Sequence, residues 1–249
     1  YDTRFIYIQK DQEVYNDDYL DPQARQNRLQ RGLTDCDDVM QRTITNKSIY
    51  PDQTEIDYHG WDITKAIKHL NEMNGSIVEW VYSPIVYFDD GEFLRRAKQL
   101  LCAQKRTYPI QNHYKGMAMS HFKDYLLNEK AVNIKKYMVC VRSCLLYKWI
   151  EVNLIESWQP LIQVDFRKVL DDLEPYLDDC LLKTVRGLLN LKKNKGKDEL
   201  CIKNKILDKF IDEVLFKSFH DEDGLEPKPR GFNRLLDHYF LVNFENLRF

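Results

Sequence analysis

Two segments of this chain, Tyr1 to Ile8 (YDTRFIYI) and Glu55 to His59 (EIDYH), read as strands, because apolar, β-branched and aromatic residues dominate them, yet each carries acidic residues among the apolar ones. Ionising a carboxylate in a strand that otherwise reads as core is costly unless a metal ion or another cation compensates it. The pattern points to a site rather than to packing. Side chains alternate along a strand, so Glu55 and Asp57 should share one face and Ile56 and Tyr58 the other.

From Glu55 onward the chain reads as strand, turn and helix. Gly60 should break the strand, and Asp62 should cap a helix whose apolar residues Ile63, Ala66, Ile67 and Leu70 fall at i, i+3, i+4 and i+7. Lys65, Lys68 and His69 would then lie away from the apolar stripe. Val39 to Ile44 reads as another strand followed by a turn around Asn46 to Asp52, and Gln9 to Gln30 as an exposed polar excursion. Ser76 to Tyr82 reads as a short helix stopped by Pro84, since the residue before proline is pushed out of helical geometry.

After Gly91 the pattern becomes helical. Helices are expected over Glu92 to Ala103, His113 to Leu127, Val132 to Glu151, Asp165 to Leu173, Leu177 to Leu191 and Asp198 to Phe219, with loops around Pro109, Pro160 and Pro175. The aromatic stretch from Glu222 to Phe249 reads as an arm. The expected fold is α+β: a mixed β-sheet core over residues 1–104, then a helical domain over residues 105–249. At 249 residues, with 43% hydrophobic and 31% charged residues, both halves can hold a core, and neither disorder nor a membrane protein is suggested. No apolar run approaches the roughly 18 residues that span a bilayer, and the charged start is unlike a signal peptide, so the expected compartment is the cytoplasm.

Six cysteines, Cys36, Cys102, Cys140, Cys144, Cys180 and Cys201, show no zinc-type spacing and read as free thiols. The net charge of −2 argues against a general nucleic-acid binder. A lysine-rich stretch from Lys183 to Lys209 could hold RNA or DNA phosphates locally, or could be a solvated helix face and loop, which is the favoured reading. Trp61, Trp80, Trp149 and Trp158 read as core aromatics.

Taken with the strand Tyr1 to Ile8, the blocks GWDITKA (Gly60 to Ala66), EWVYSPIVY (Glu79 to Tyr87), HYKGMA (His113 to Ala118) and KKYMVCVRSCLLYKWIE (Lys135 to Glu151) resemble the YcgL-type nucleotidyltransferases of the DNA polymerase β superfamily, in order and in spacing. The resemblance covers most of residues 1 to about 150. It implies a small mixed sheet with a Gly-Ser turn, an Asp-x-Asp strand and a third carboxylate on a neighbouring strand. Asp2 matches the second aspartate of the pair and Asp57 the third carboxylate, both as catalytic metal ligands. The Gly-Ser turn and first aspartate would lie upstream of Tyr1, so the core is expected to be N-terminally incomplete here.

The implied cofactor is Mg2+, in a two-ion site in the complete protein, since magnesium takes a few carboxylates and completes its shell with triphosphate oxygens and water. The implied reaction moves a nucleoside monophosphate from a nucleoside triphosphate such as ATP to an acceptor hydroxyl, releasing pyrophosphate. An RNA or tRNA end, as in RNA repair, is the preferred acceptor. The alternative is a non-catalytic nucleotide-sensing or nucleic-acid-binding module on the same scaffold. Arg4 is either a phosphate ligand or a structural ion-pair partner. Lys65, Ser83, Tyr114, Lys136 and Arg142 are the further nucleotide-binding candidates. Arg142 interrupts an apolar run and so needs an anion, either a core carboxylate or a triphosphate. His59 could be a metal ligand, a proton shuttle or a structural residue, the last being favoured; His113 could bond a base or phosphate or simply pack. No membrane partner is implied, and the oligomeric state is left open.

Overall fold

Side chains in register on neighbouring strands decide what a sheet can bring together. The computed structural model describes residues 2–7, 43–49, 55–89, 93–104, 108–153, 162–194 and 199–216. Strands β1 (Asp2–Tyr7), β2 (Thr43–Ile49) and β3 (Glu55–Asp62) form a mixed sheet in the order β1-β3-β2, with β3 in the middle. β1 runs parallel to β3 and β2 antiparallel to it. Helix α1 (Ile63–Asn71) follows β3 directly and packs against β1 and β3.

Gly60 does not break the strand; β3 runs two residues past it. Its strand partner is Phe5, and a Cβ at position 60 would collide with the Phe5 ring. The glycine makes room for an aromatic side chain laid across the middle strand, a close approach that a strand glycine commonly marks. The turn expected around Asn46 also proves to be strand, since Asn46 to Ile49 pair with Glu55 to Tyr58. Asp62 is the last residue of β3 and completely buried. The expected segments Gln9 to Gln30, Val39 to Arg42 and Glu222 to Phe249 lie outside the described residues.

The chain divides into two units, one comprising Tyr1–Glu72 with Pro227–Phe249 and the other Met73–Glu226. The sequence reading drew its boundary at residue 104. The second unit is built on helices α2 (Gly75–Val81), α3 (Phe93–Gln104), α4 (Tyr108–His121), α5 (Ile134–Asn153), α6 (Phe166–Leu173), α7 (Asp179–Asn194) and α8 (Lys205–Phe216). A two-stranded antiparallel sheet joins β4 (Ala131–Asn133) to β5 (Leu200–Ile202), where the sequence had suggested helix. α5 is apolar on most sides because it is the unit's centre, packed by α4, α6, α7 and α8. Cys140 and Cys144 are buried free thiols within it.

Local chemistry sets the helix ends. Asn74 caps α2 by accepting from the Ser76 amide at 3.0 Å, and Asp165 caps α6 through the Arg167 amide at 3.0 Å. Pro109 belongs to the first turn of α4 rather than to a loop, which suits a residue with no amide hydrogen to satisfy. α4 therefore starts earlier than expected and ends in a π-helical turn, Phe122–Leu126. The fold is mixed α+β and mostly helical among the described residues.

Candidate functional site

One face of the three-stranded sheet carries Asp2, Glu55 and Asp57, while Asp62 falls on the other. Asp2 on β1 and Lys47 on β2 both pair in register with Asp57 on β3, which places the three in one row across the sheet. Asp57 has its Oδ1 buried. The next row along the same face is Arg4, His59 and Thr45, and the one after is Ile6, Trp61 and Thr43. Rows on one face are two residues apart, about 7 Å along the strand. The row that carries the two aspartates, here called the acidic row although Lys47 ends it, thus lies beside the row that carries Arg4.

His59 sits between these charges, and its hydrogen bonds fix its state. Trp61 Nε1 can only donate, and it donates to His59 Nε2 at 3.1 Å. Nε2 therefore carries a lone pair, and the proton resides on Nδ1, 3.2 Å from the Thr45 hydroxyl. Burial, then the positive charges of Arg4 and Lys65, hold its pKa below the ordinary imidazole value, in agreement with a neutral ring. With both nitrogens engaged, His59 is a structural member of this face rather than an open metal ligand.

Lys65 and His69, expected away from the apolar stripe, are not thereby exposed, because the Trp61 indole covers them. Both are buried. The Lys65 ammonium stands 5.0 Å from the centre of the Trp61 ring, and the His69 ring lies 4.9 Å from it, on positions four residues apart. Burial lowers the basicity of Lys65. It also lowers that of His69, although Glu72, 3.2 Å from His69 Nδ1, pulls the other way.

The other candidates lie in the helical unit. The Ser83 hydroxyl donates to the Ile85 carbonyl at 3.0 Å and accepts from the Ile85 amide, shaping the turn around Pro84. Tyr114, fully buried in the middle of α4 rather than at its start, donates to Glu79 Oε1 at 2.8 Å. Arg142 Nη2 reaches the same oxygen at 3.3 Å, so a carboxylate of the unit supplies the anion that the sequence required. Lys136 holds its ammonium 4.2 Å from the centre of the Tyr125 ring. The neighbouring His113 buries its Nε2 without a hydrogen bond. Thus Asp2, Asp57, Arg4 and Lys65 share one unit, and Ser83, Tyr114, Lys136 and Arg142 belong to the other.

Sequence reasoning missed Thr45, Lys47 and Glu79. Lys47 was hidden by the turn expected from Asn46 and Thr45 fell between that turn and the strand expected to end at Ile44; a register with β3 was the signal that could have exposed them. Glu79 sits in a block singled out for other reasons, and its one available signal was the need of Arg142 for an anion.

The donor set on the sheet face suits a hard cation only through oxygen. Among the described residues no group of three or more histidine, cysteine or acidic side chains is placed to hold a metal. Two acidic positions in register match an ion such as magnesium, which takes one or two carboxylates and fills its shell from phosphates and water. Among the described residues no helix is long and apolar enough to cross a membrane.

The model of RlaP, the RNA repair pathway DNA polymerase beta family, matches residues 1–242. A curated relative, "Uncharacterized protein YcgL" of Bacillus subtilis (strain 168), is 24% identical over 248 residues, covering 99% of this chain and 83% of the relative. No solved structure matches the chain significantly.

Proposed function

The chain belongs to the RNA repair pathway DNA polymerase beta family, and on that premise we propose that it is a metal-dependent nucleotidyltransferase acting on an RNA end. The observation that carries the reading is the direct pairing of Asp2 with Asp57 on adjacent parallel strands, with Arg4 one row further along. Strands fix such positions better than loops do.

The acidic row would hold the magnesium that accompanies a nucleoside triphosphate, and the bound ion would neutralise charge as pyrophosphate leaves. Arg4, exposed beside that row, would take a phosphate oxygen. In the transfer, the acceptor hydroxyl oxygen forms a bond to the α-phosphorus while the bond from that phosphorus to the bridging oxygen breaks and pyrophosphate departs. The hydroxyl proton passes to a carboxylate of the acidic row, for which Asp57 on the central strand is the candidate. His59 stays neutral between Arg4 and Lys65 and takes no proton, because its Nε2 is held by Trp61.

The test is calorimetric titration of each nucleoside triphosphate, with and without magnesium, into the protein and into Asp57→Asn, followed by incubation of a labelled triphosphate with RNA acceptors. Magnesium-dependent binding should weaken by at least the roughly 10–100-fold that loss of an outer partner of a metal ligand costs. Binding without label transfer to any acceptor would leave a nucleotide-sensing module; binding indifferent to both magnesium and Asp57 would refute the site.

A further inference from the structure

Asp57 and His59 stand two residues apart on β3, so both side chains leave the same face of the sheet. At that spacing, about 7 Å along the strand, an aspartate oxygen and an imidazole nitrogen can reach one metal ion. Asp2 is in register with Asp57 on the neighbouring strand. By residue type alone, this part of the sheet offers two carboxylates and an imidazole, and a third ligand of that kind changes which ion is preferred. Carboxylates with water and phosphate oxygens suit magnesium, whereas an imidazole nitrogen among them favours zinc and other late divalent ions.

The hydrogen bonds withhold that imidazole. A neutral ring has one nitrogen with a lone pair to give to a metal. In His59 it is Nε2, and the Trp61 indole donates to it at 3.1 Å, while Nδ1 faces the Thr45 hydroxyl at 3.2 Å. A metal on Nε2 would have to displace the indole, and a buried donor that loses its acceptor is costly.

The indole itself is held from the other side. Trp61 is buried, with the Lys65 ammonium 5.0 Å from its ring centre and the His69 ring 4.9 Å from it. Both come from α1, which packs against β3, so the direction of the indole N–H is set by the helix that follows the strand. Satisfying a buried indole N–H needs only some acceptor, and a glutamine oxygen supplies one without any affinity for zinc. A histidine in that position brings a nitrogen ligand within reach of Asp57, and the indole then removes it.

We propose that Trp61 is a positioning residue that sets the metal preference of the sheet face: by holding the His59 lone pair it leaves carboxylate oxygens as the ligands there, and so reserves the acidic row for a hard cation such as magnesium against zinc. The inference rests on the acidic row as the metal site proposed above. Affinity for divalent ions follows their own order unless the ligand set restrains it, and the indole is such a restraint.

Calorimetric titration of zinc, without nucleotide, into the full chain, Trp61→Phe, His59→Gln and the double variant tests this. Trp61→Phe keeps an aromatic ring but removes the donor, and should tighten zinc binding by roughly 10–100-fold, the scale on which partners of a metal-binding histidine act. His59→Gln alone should bind zinc as the wild type does, and the double variant should lose the gain. Imidazole nitrogen NMR of the wild type needs no change at the buried indole: the His59 signals, assigned by their loss in His59→Gln, should show the proton on Nδ1, and Nε2 should not shift as zinc is added. Equal zinc affinity in a folded Trp61→Phe and the wild type, a gain that persists in the double variant, or an Nε2 signal that moves with zinc in the wild type overturns the proposal. If magnesium triphosphate still binds through Asp57 in those cases, the transferase reading stands; triphosphate binding indifferent to magnesium and to Asp57 removes both.

Discussion

Replacing Glu79 should destabilise the helical unit through Tyr114 more than through Arg142, although Arg142 is the charged partner. The Tyr114 side chain is completely buried, and its hydroxyl donates to Glu79 Oε1 at 2.8 Å. Burial, reinforced by the neighbouring Glu79 charge, drives its pKa well above the ordinary phenol value, so the hydroxyl remains a donor at any ordinary pH. A hydrogen bond to a charged acceptor contributes about 1.5–3 kcal/mol, and an orphaned buried hydroxyl costs about 1–3 kcal/mol. The Arg142 contact, at 3.3 Å with side chains 30% and 26% exposed, is screened and adds at most about 1 kcal/mol. Glu79→Ala should therefore cost about 2–4 kcal/mol, which for a unit of this size lowers Tm by roughly 2–4 °C per kcal/mol. Scanning calorimetry of Glu79→Ala, Tyr114→Phe and the double variant gives the coupling directly, and it should be about 1–2 kcal/mol. Strict additivity, or a Tyr114→Phe variant as stable as wild type, would refute the argument.

Close packing elsewhere gives two further expected outcomes. Gly60→Ala should destabilise by about 1–3 kcal/mol because its Cβ meets the Phe5 ring, and the loss should shrink when Phe5 is also Ala; thermal unfolding of the four proteins checks this, and an unchanged loss would mean that the ring is not the obstacle. His113 has its pKa lowered by burial, only partly offset by Glu79, so the unfolded chain binds its proton more tightly than the native one. Stability should then be fully present above the ordinary value of about 6.5 and fall as pH drops through it toward the native pKa. His113→Phe should flatten that slope in denaturant titrations, and an unaltered slope would count against it.

What the sequence made legible depended on whether a residue's role was local. The strand over Asp2 to Tyr7, the amphipathic helix α1 and the buried run of α5 follow from periodicity, which is set within a few residues. The pairing of Asp2 with Asp57 was reachable because family resemblance named both positions. Lys47 and Thr45 were not, since their place depends on the register of β2 against β3, and nothing in a single sequence encodes which residue of one strand faces which of another. Gly60 misled for a related reason. A glycine after a strand usually ends it, but here it admits the Phe5 ring from a segment more than fifty residues earlier, and that tertiary demand overrides the local signal.

The same limit explains the buried cations of α1. A helical wheel sorts Lys65 and His69 to the polar side because it knows only the helix, whereas Trp61 belongs to the preceding strand and extends an aromatic surface under them. The consequence reaches the site. Burial lowers the basicity of His59, the charges of Arg4 and then of Lys65 beside Trp61 add to that, and the Trp61 indole at the same time occupies the lone pair of His59. Tryptophan thus fixes the middle of the row that carries Arg4 as a neutral ring, with Arg4 as an exposed cation next to the acidic row. On the proposed reading, a charged histidine in that place would add a second cation near Asp57, whose row already holds Lys47, and would compete with the magnesium for its carboxylate; a neutral imidazole adds no such competition.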